Sequence, residues 1–272
     1  MKKIVIEAKT PWLQLDMSEL YAFRWVFVML ILRDIKLRYK QTFLGVTWVI
    51  LQPLLTAALF TLVFGHVLHL SSEGVPYLVF AFCGLVPWLV FSQALQRAST
   101  CLINDTRLIT KVYFPRIYLP LSATFGVGID FLIALLILFG LMIFYGLAFT
   151  SQLLFLPVCI LVLFVFSSGI NLFFSSINVY YRDLKHIVPF LVQFWMYASP
   201  LVYSTGVIPQ KYHLLYSLNP LVGLIDGFRW SLLGLENFPH LSFSIASMTS
   251  FFLLVFGTIV FRRIEHNFAD VI

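Results

Sequence analysis

Uncharged runs long enough to cross a lipid bilayer follow one another along most of the chain. Six of them cover about residues 43–65, 77–96, 117–147, 152–179, 187–207 and 241–261. A helix rises about 1.5 Å per residue and a hydrocarbon core is about 30 Å thick, so each run can span a membrane as a helix. A barrel would need short segments of alternating polarity instead. The pattern predicts an all-α integral membrane protein whose six transmembrane helices form one domain, residues 43–261.

The segment before the first run is apolar but too short to span. Leu20 to Leu32 is interrupted by Arg24 and falls below the roughly 20 residues that a spanning helix requires. We expect an interfacial amphipathic helix there, within a cytoplasmic N-terminal region, residues 1–42.

The stretch between the fifth and sixth runs, His213 to Leu235, is also apolar. It contains Asn219-Pro220, Asp226 and Arg229, and a full crossing here would place the basic residues after the sixth run outside. A short re-entrant or interfacial helical pair on the external side is therefore predicted. Asp226 and Arg229 stand at i, i+3 spacing and are expected to be able to pair.

Basic residues are concentrated on one side of this predicted topology. Of the 18 Lys and Arg residues, all but Lys211 and Arg229 lie before the first run or after the second, fourth and sixth. The positive-inside rule then places both termini, including the tail 262–272, in the cytoplasm.

The composition excludes other classes of protein. Only 11% of the residues are charged and 60% are hydrophobic, whereas soluble domains have about 25% charged residues. The net charge of +6 does not indicate nucleic-acid binding, because the basic residues lie between apolar runs instead of on one polar surface. The three cysteines are in or beside apolar runs and are predicted to be packing residues.

Sequence signals for catalysis and for nucleotide or metal binding are missing. There is no Gly-x-x-x-x-Gly-Lys loop, so we expect no ATP site on this chain. The six histidines are dispersed, and no metal site is predicted. Clustered acid–base pairs are also absent, which disfavours a membrane-embedded acyl or glycosyl transferase.

Asp130 is the only acidic residue inside a predicted span. An ionisable residue there is a candidate for an ion pathway, but the polar partners expected in other spans are only the amides of Gln52, Gln93, Asn171 and Gln193. A side chain that faces the bundle interior and bonds to a neighbouring helix is favoured over a proton-coupled transporter.

Aromatic residues recur at helical spacing in two predicted spans. They are Tyr77, Phe80, Trp88 and Phe91 in the second span, and Phe194 and Tyr197 in the fifth. Such a stripe is typical of packing or lipid contact. Alternatively, it lines a pore in which the apolar faces of sugars stack on aromatic rings.

Two cytoplasmic segments carry dense charge. Arg33, Lys36, Arg38 and Lys40 precede the first run, and they serve either as a topology signal or as contacts to an anionic headgroup. In the loop after the second span, Asn104-Asp105 predicts a cap for a short helix from Thr106 to Tyr113, which Phe114-Pro115 ends.

In this arrangement the chain resembles the ABC-2 type permeases that export cell-surface polysaccharides such as O-antigen, capsule and teichoic acid. The resemblance covers nearly the whole length. Its landmarks are Arg33-Asp-Ile-Lys-Leu-Arg-Tyr-Lys with Leu44-Gly45 and Trp48; Phe114-Pro115-Arg116 with Leu119-Pro120; Asn178-Val-Tyr-Tyr-Arg-Asp183; Ser199-Pro200-Leu-Val-Tyr203; and Asn219-Pro220 with Phe228-Arg229.

The resemblance implies a permease of the bacterial cytoplasmic (inner) membrane that exports a lipid-linked polysaccharide. It implies a homodimer paired with two copies of a separate cytoplasmic ATPase, which uses ATP and Mg while this chain binds no cofactor. The same resemblance implies three groups of functional residues. Those that couple to the ATPase are Asp105, Arg107, Lys111, Arg182 and Asp183. Those of the cytoplasmic gate, which contact the substrate headgroup, are Arg33, Lys36, Arg38 and Tyr39, and the external gate includes Asn219, Pro220, Asp226 and Arg229. An ABC-2 exporter of a drug or small lipid is the alternative.

Overall fold

A computed structural model describes residues 17–39, 45–235, 237–266 and 268, without the side chains of residues 45 and 46. The predictions for residues 1–16, for the junction 40–44 and for the end of the tail, 269–272, lie outside these ranges.

Helices account for nearly all of the regular structure in the described part of the chain. The α-helices are α1 Met17–Ala22, α2 Arg24–Tyr39, α3 Gly45–Phe60, α4 Tyr77–Asn104, α5 Thr106–Lys111, α6 Tyr118–Phe125, α7 Gly128–Phe144, α8 Leu156–Tyr180, α9 Leu184–Tyr197, α10 His213–Ser217, α11 Pro220–Leu233 and α12 His240–Glu265. A π-helical segment, Thr61–Val67, continues α3, and 3₁₀ turns occupy Ser151–Phe155, Thr205–Val207 and Gln210–Tyr212. The predicted all-α class is confirmed.

Five helical stretches within the described residues are long and apolar enough to cross a membrane. They are Thr47–Val67, Tyr77–Asn104, Tyr118–Phe144, Ser151–Tyr180 and His240–Glu265, and they match the predicted spans one to four and six.

The predicted fifth span, 187–207, has a different structure. It contains α9, whose 14 residues rise about 21 Å. The chain turns after α9, where Pro200 lacks an N–H group and restricts Ser199 before it. The six-span count stays a prediction.

The second span, α4, is the central helix of the bundle. In its most apolar window 83% of the residues are buried, against 11% for the first span. It packs on α3, α6, α7, α8, α9 and α11. The buried aromatic and aliphatic side chains of the main core therefore surround α4.

Two close helix crossings depend on glycine. A Cβ atom at Gly169 of α8 would lie 2.5 Å from the carbonyl carbon of Leu253 in α12, and one at Gly257 would overlap the carbonyl oxygen of Gly169. A Cβ atom at Gly223 of α11 would likewise overlap the carbonyl of Ser242 in α12. Small residues let helix backbones approach closely in membrane proteins, where packing drives helix association.

The helical pair predicted between the fifth and sixth runs is present as α10 and α11. Most residues of α11 are buried, because this helix lies against α4, α8 and α12. It ends at Gly234, whose φ of 70° is in the left-handed region that glycine adopts readily. The pair is thus part of the bundle.

Candidate functional site

The break between α6 and α7, inside the spanning stretch Tyr118–Phe144, brings an acid and a base together. Arg38 of α2 pairs with the carboxylate of Asp130, in the first turn of α7, and its Nη2 donates to the carbonyl oxygen of Gly126 at 3.2 Å. The guanidinium therefore lies at the carboxyl end of α6, and the carboxylate at the amino end of α7. Both positions complement the helix dipoles.

Tyr39 contacts the same carboxylate. Its hydroxyl donates a hydrogen bond to Asp130. Burial, together with this hydrogen bond, raises the pKa of Tyr39 to about 12, so the hydroxyl stays protonated as a donor at neutral pH. Asp130 thus bonds to a neighbouring helix, which agrees with its packing interpretation.

Arg33, one and a half turns earlier on α2, connects this helix to the loop after α4. Its guanidinium donates to both carboxylate oxygens of Asp105, at 2.7 and 2.9 Å, and to Asp34 at 2.8 and 3.0 Å. Burial acts to lower the pKa of Arg33, but the hydrogen bonds to Asp105 and Asp34 raise it above its usual value.

The predicted cap role of Asp105 is wrong in one respect. Asp105 precedes α5, yet its side chain makes no capping hydrogen bond. A bidentate arginine–carboxylate pair is stronger than a neutral hydrogen bond to backbone, and Arg33 occupies both oxygens. The helix itself is present but is shorter than predicted, because it ends at Lys111.

The other residues predicted to couple to the ATPase lie on the surface, in the loop after α4 and in the turn after α8. Arg107 and Lys111 of α5 are exposed, as are Arg182 and Asp183 in the turn between α8 and α9. Asn178 near the end of α8 donates to the carbonyl oxygen of Ser99 in α4 at 2.6 Å. This bond holds the ends of the two helices, and hence the two surface loops, near each other.

A cleft of about 750 Å³ opens beside Arg38 and Tyr39. Residues of α3, α4, α7 and α9 line it, and its size is within the usual range for ligand sites. Its uncharged polar side chains are Gln52, Thr56, Ser92, Gln93, Gln96 and Gln193, and Trp88 and Trp48 contribute indole rings. This cleft is the candidate functional site.

A second cleft of about 640 Å³ lies between α2 and the loop end of α4. It includes Arg33 and Asp105, and it shares Arg38, Gln93, Gln96 and Arg97 with the first cleft. The shared wall connects the loop after α4, which is predicted to be cytoplasmic, with the interior of the bundle.

Sequence reasoning missed the way that these polar groups converge. Gln52, Gln93 and Gln193 come from three different helices, so no local pattern marks them as one site. A partial signal was present in α4, where Gln93, Gln96 and Arg97 follow i, i+3, i+4 spacing and share one helix face.

The six predicted pore aromatics do not form one group. Phe80 and Phe91 have no exposed surface, and Phe91 packs against Phe166 and Trp195 with ring centroids 5.3 and 5.1 Å away. Tyr77 donates to the carbonyl of Val202. Only Trp88 lines the first cleft.

Phe194 and Tyr197 lie on an outer face of α9, with 65% and 66% of their surface exposed. Phe194 also lines an apolar groove of about 510 Å³ between α9 and the segment around α10. A pore role for these aromatics stays a prediction.

In another part of the bundle, Asn219 connects α9 with α11. Its Oδ1 accepts from the Leu221 backbone N–H at 3.1 Å and from Nε1 of Trp195 at 2.9 Å. Its Nδ2 donates to the carbonyl of Ala198 at 3.0 Å and to Oγ of Ser199. Asn219 therefore caps α11, with Pro220 at the first helical position.

The predicted pair between Asp226 and Arg229 is not formed. Within the described residues, no ion pair joins them. Arg229 is buried and donates to the carbonyls of Leu201 and Tyr203, at 2.8 and 3.2 Å, and its guanidinium lies 3.7 Å from the centre of the Phe80 ring. The turn after α9 leaves these carbonyls free, and Arg229 satisfies them.

Asp226 accepts from Oγ1 of Thr205 at 2.6 Å. Burial raises the pKa of its carboxyl to about 6, against the opposing effects of Arg229 and of the Thr205 hydrogen bond.

Comparison with known proteins connects this architecture to a family of transporters. Residues 26–233 match the family described as ABC-2 type transporter. The O-antigen export system permease protein RfbA of Klebsiella pneumoniae is 28% identical over 257 residues, covering 93% of this chain and 98% of the relative. RfbA of Myxococcus xanthus is 32% identical over 213 residues, 78% of this chain and 81% of the relative.

The polysialic acid transport protein KpsM of Escherichia coli is more distant. It is 23% identical over 253 residues, which cover 87% of this chain and 92% of the relative. Because the family match extends over more than half of the sequence, this chain belongs to the ABC-2 type transporter family.

Proposed function

We propose that this chain is the membrane permease of an ATP-driven exporter that moves a lipid-linked cell-surface polysaccharide across the bacterial cytoplasmic membrane. The relatives named as O-antigen export permeases, matched over most of their length, support this function. The observation that supports it within the molecule is the first cleft, which is lined by amide side chains from three helices and by Trp88. Amides can hydrogen-bond sugar hydroxyls while an indole ring stacks on the apolar face of a sugar.

The same cleft favours a polysaccharide over the alternative of a drug or small lipid. A site for an apolar compound would be lined by hydrophobic side chains with few polar groups. Here four glutamines, three hydroxyl side chains and three charged side chains interrupt a lining that is otherwise apolar. This lining suits a substrate with many hydroxyl groups.

The energy for transport comes, in this proposal, from a separate cytoplasmic ATPase that hydrolyses ATP with Mg. Two copies of this chain form the channel with two copies of the ATPase, and both termini are cytoplasmic. The exposed side chains of Arg107, Lys111, Arg182 and Asp183, held near each other by the Asn178 bond to Ser99, support an ATPase contact at this surface.

Deletion of the gene in its own organism tests the proposal. The expected result is a lipid-linked polymer that accumulates inside the cell, together with loss of the surface polysaccharide. Complementation with the wild-type chain should restore export. Normal surface polysaccharide without accumulation in the deletion strain would refute the proposal, and accumulation of a small apolar compound would support the alternative.

A charge reversal tests the coupling surface separately. Arg107→Glu with Lys111→Glu should leave the permease in the membrane but abolish polymer-stimulated ATP hydrolysis in reconstituted vesicles. Lys211→Glu reverses one basic charge outside this surface and should have no effect. Wild-type hydrolysis and transport in the double variant would exclude α5 as the contact.

A further inference from the structure

The two arginines of α2 that face the clefts are already neutralised by acids of this chain. Arg33 contacts the carboxylates of both Asp34 and Asp105, and Arg38 is paired with Asp130. An anionic ligand would have to compete with these carboxylates for the guanidinium groups. The paired arginines are therefore poor candidates for binding a phosphate group.

Arg97 is different, although it lies beside them. It is half-buried in the wall that the two clefts share. Among the described residues, its side chain has no ion pair or hydrogen bond. A guanidinium group has five N–H donors, so Arg97 has capacity for an anion.

The neighbours of Arg97 define which anion would fit. Gln93 and Gln96 lie on the same face of α4 and line both clefts, and their amides can donate to further phosphate oxygens. Trp88 lies nine residues away on the same helix, about 14 Å along its axis, inside the first cleft. A ligand with a phosphate group at Arg97 can thus extend a chain of several sugars along the cleft toward Trp88.

We propose that Arg97, with Gln93 and Gln96, binds the phosphate group that joins the carrier lipid to the glycan. This inference rests on the proposed function and names the chemical class of the group recognised, an isoprenoid diphosphate. Arg33 and Arg38 then act as positioning residues that hold α2 against α5 and α7. The shared wall places the bound phosphate where the cytoplasmic cleft meets the interior cleft.

A binding measurement with a short isoprenoid diphosphate tests this site. The assembled permease and ATPase, without nucleotide, would be placed in phosphatidylcholine nanodiscs and titrated with farnesyl diphosphate and with uncharged farnesol. Arg97→Gln should weaken diphosphate binding by about tenfold or more, because a charge-assisted hydrogen bond is lost. Farnesol binding should not change, and Arg97→Lys should retain part of the affinity.

Control variants separate this site from its neighbours. Arg263→Gln makes the same chemical change at an exposed position outside both clefts and should bind as the wild type does. Wild-type binding by Arg97→Gln would overturn the inference, as would an equal loss of farnesol binding. A larger specific loss of diphosphate binding in Lys36→Gln would assign the anion to α2 instead.

Two further arms identify the source of the phosphate. Inorganic diphosphate or phosphatidylglycerol that competes with farnesyl diphosphate at equal concentration would overturn the assignment to an isoprenoid carrier. A failure of the phosphate site can be distinguished from a failure of the proposed function. If Arg97→Gln binds normally while the deletion strain still accumulates lipid-linked polymer, only the phosphate site is lost.

Discussion

Arg38, which is half-buried, and Arg229, which is fully buried, lie in different parts of the bundle, and their guanidinium groups bond to different kinds of partner. Beside the two clefts, Arg38 pairs with a carboxylate 92 positions away in the sequence. Next to the turn after α9, Arg229 binds backbone carbonyls and the face of Phe80, while the acid three residues before it binds Thr205. The first arrangement joins helices through charge, and the second completes a turn whose carbonyls have lost their helical partners.

This difference predicts how each region responds when its arginine is removed. An ion pair leaves behind a charge, whereas a carbonyl cluster leaves behind neutral acceptors. Leaving a charge buried without a partner lowers the free energy of unfolding more than leaving a neutral polar group without one. The following variants are ordered by that expectation.

Arg38→Gln should have the largest effect on stability. Removing one partner of a buried ion pair costs about 3–5 kcal/mol because the other charge stays uncompensated. The double variant Arg38→Gln with Asp130→Asn should recover most of the loss, as measured by the melting temperature of the purified complex. A double variant no more stable than the single one would contradict the paired arrangement.

Arg229→Met should cost about 2–3 kcal/mol, because two buried carbonyls lose their donor. In contrast with Arg38, neutralising the nearby acid should not rescue it. The double variant Arg229→Met with Asp226→Asn should have the same melting temperature as Arg229→Met alone. Recovery on adding Asp226→Asn would mean that an ion pair exists here as well.

The ion pair between Arg33 and Asp105 should contribute less to stability than the pair between Arg38 and Asp130. Their side chains are 30% and 22% exposed, so the expected cost of Asp105→Asn is about 1 kcal/mol. The charge swap Arg33→Asp with Asp105→Arg should restore coupling between ATP hydrolysis and export if the pair holds α2 to α5. Normal coupling in both single variants would show that this contact does not transmit motion.

The smallest effect is expected from pH at Asp226. Its folded-state pKa of about 6 is raised above the ordinary value of 3.8 by burial. The stabilising contribution of the neutral carboxyl is fully present below the ordinary pKa and is lost as pH rises through about 6. The melting temperature of the wild type should therefore fall relative to Asp226→Asn between pH 4 and 7. Parallel curves would contradict a raised pKa.

Much of the architecture is predictable because it depends on local properties of the sequence. Uncharged length marks the helices that can span, and Asn219-Pro220 marks the start of α11. Ser199-Pro200 inside the predicted fifth span is a local signal for the end of α9. The apolar residues on both sides of it nevertheless favoured one continuous span in the prediction.

The contacts between distant residues could not be predicted in the same way. Asp130 is conspicuous as the sole acid in a predicted span, but nothing near it in the sequence identifies Arg38 as its partner. Sequence spacing suggested an Asp226–Arg229 pair, whereas the structure gives each a partner from the turn after α9. Arg97 was counted only as a topology signal, because its lack of a partner becomes visible once the other cations are placed.

The first cleft as the path of the glycan is the central claim, and photo-crosslinking tests it directly. A photoreactive amino acid at Gln93 should capture glycan in cells that are exporting polymer. The same residue at Leu136, whose side chain is 69% exposed on α7, should not. An inactive ATPase should abolish the Gln93 adduct. Export that continues with no adduct at Gln93, or with equal adducts at both positions, would contradict the account.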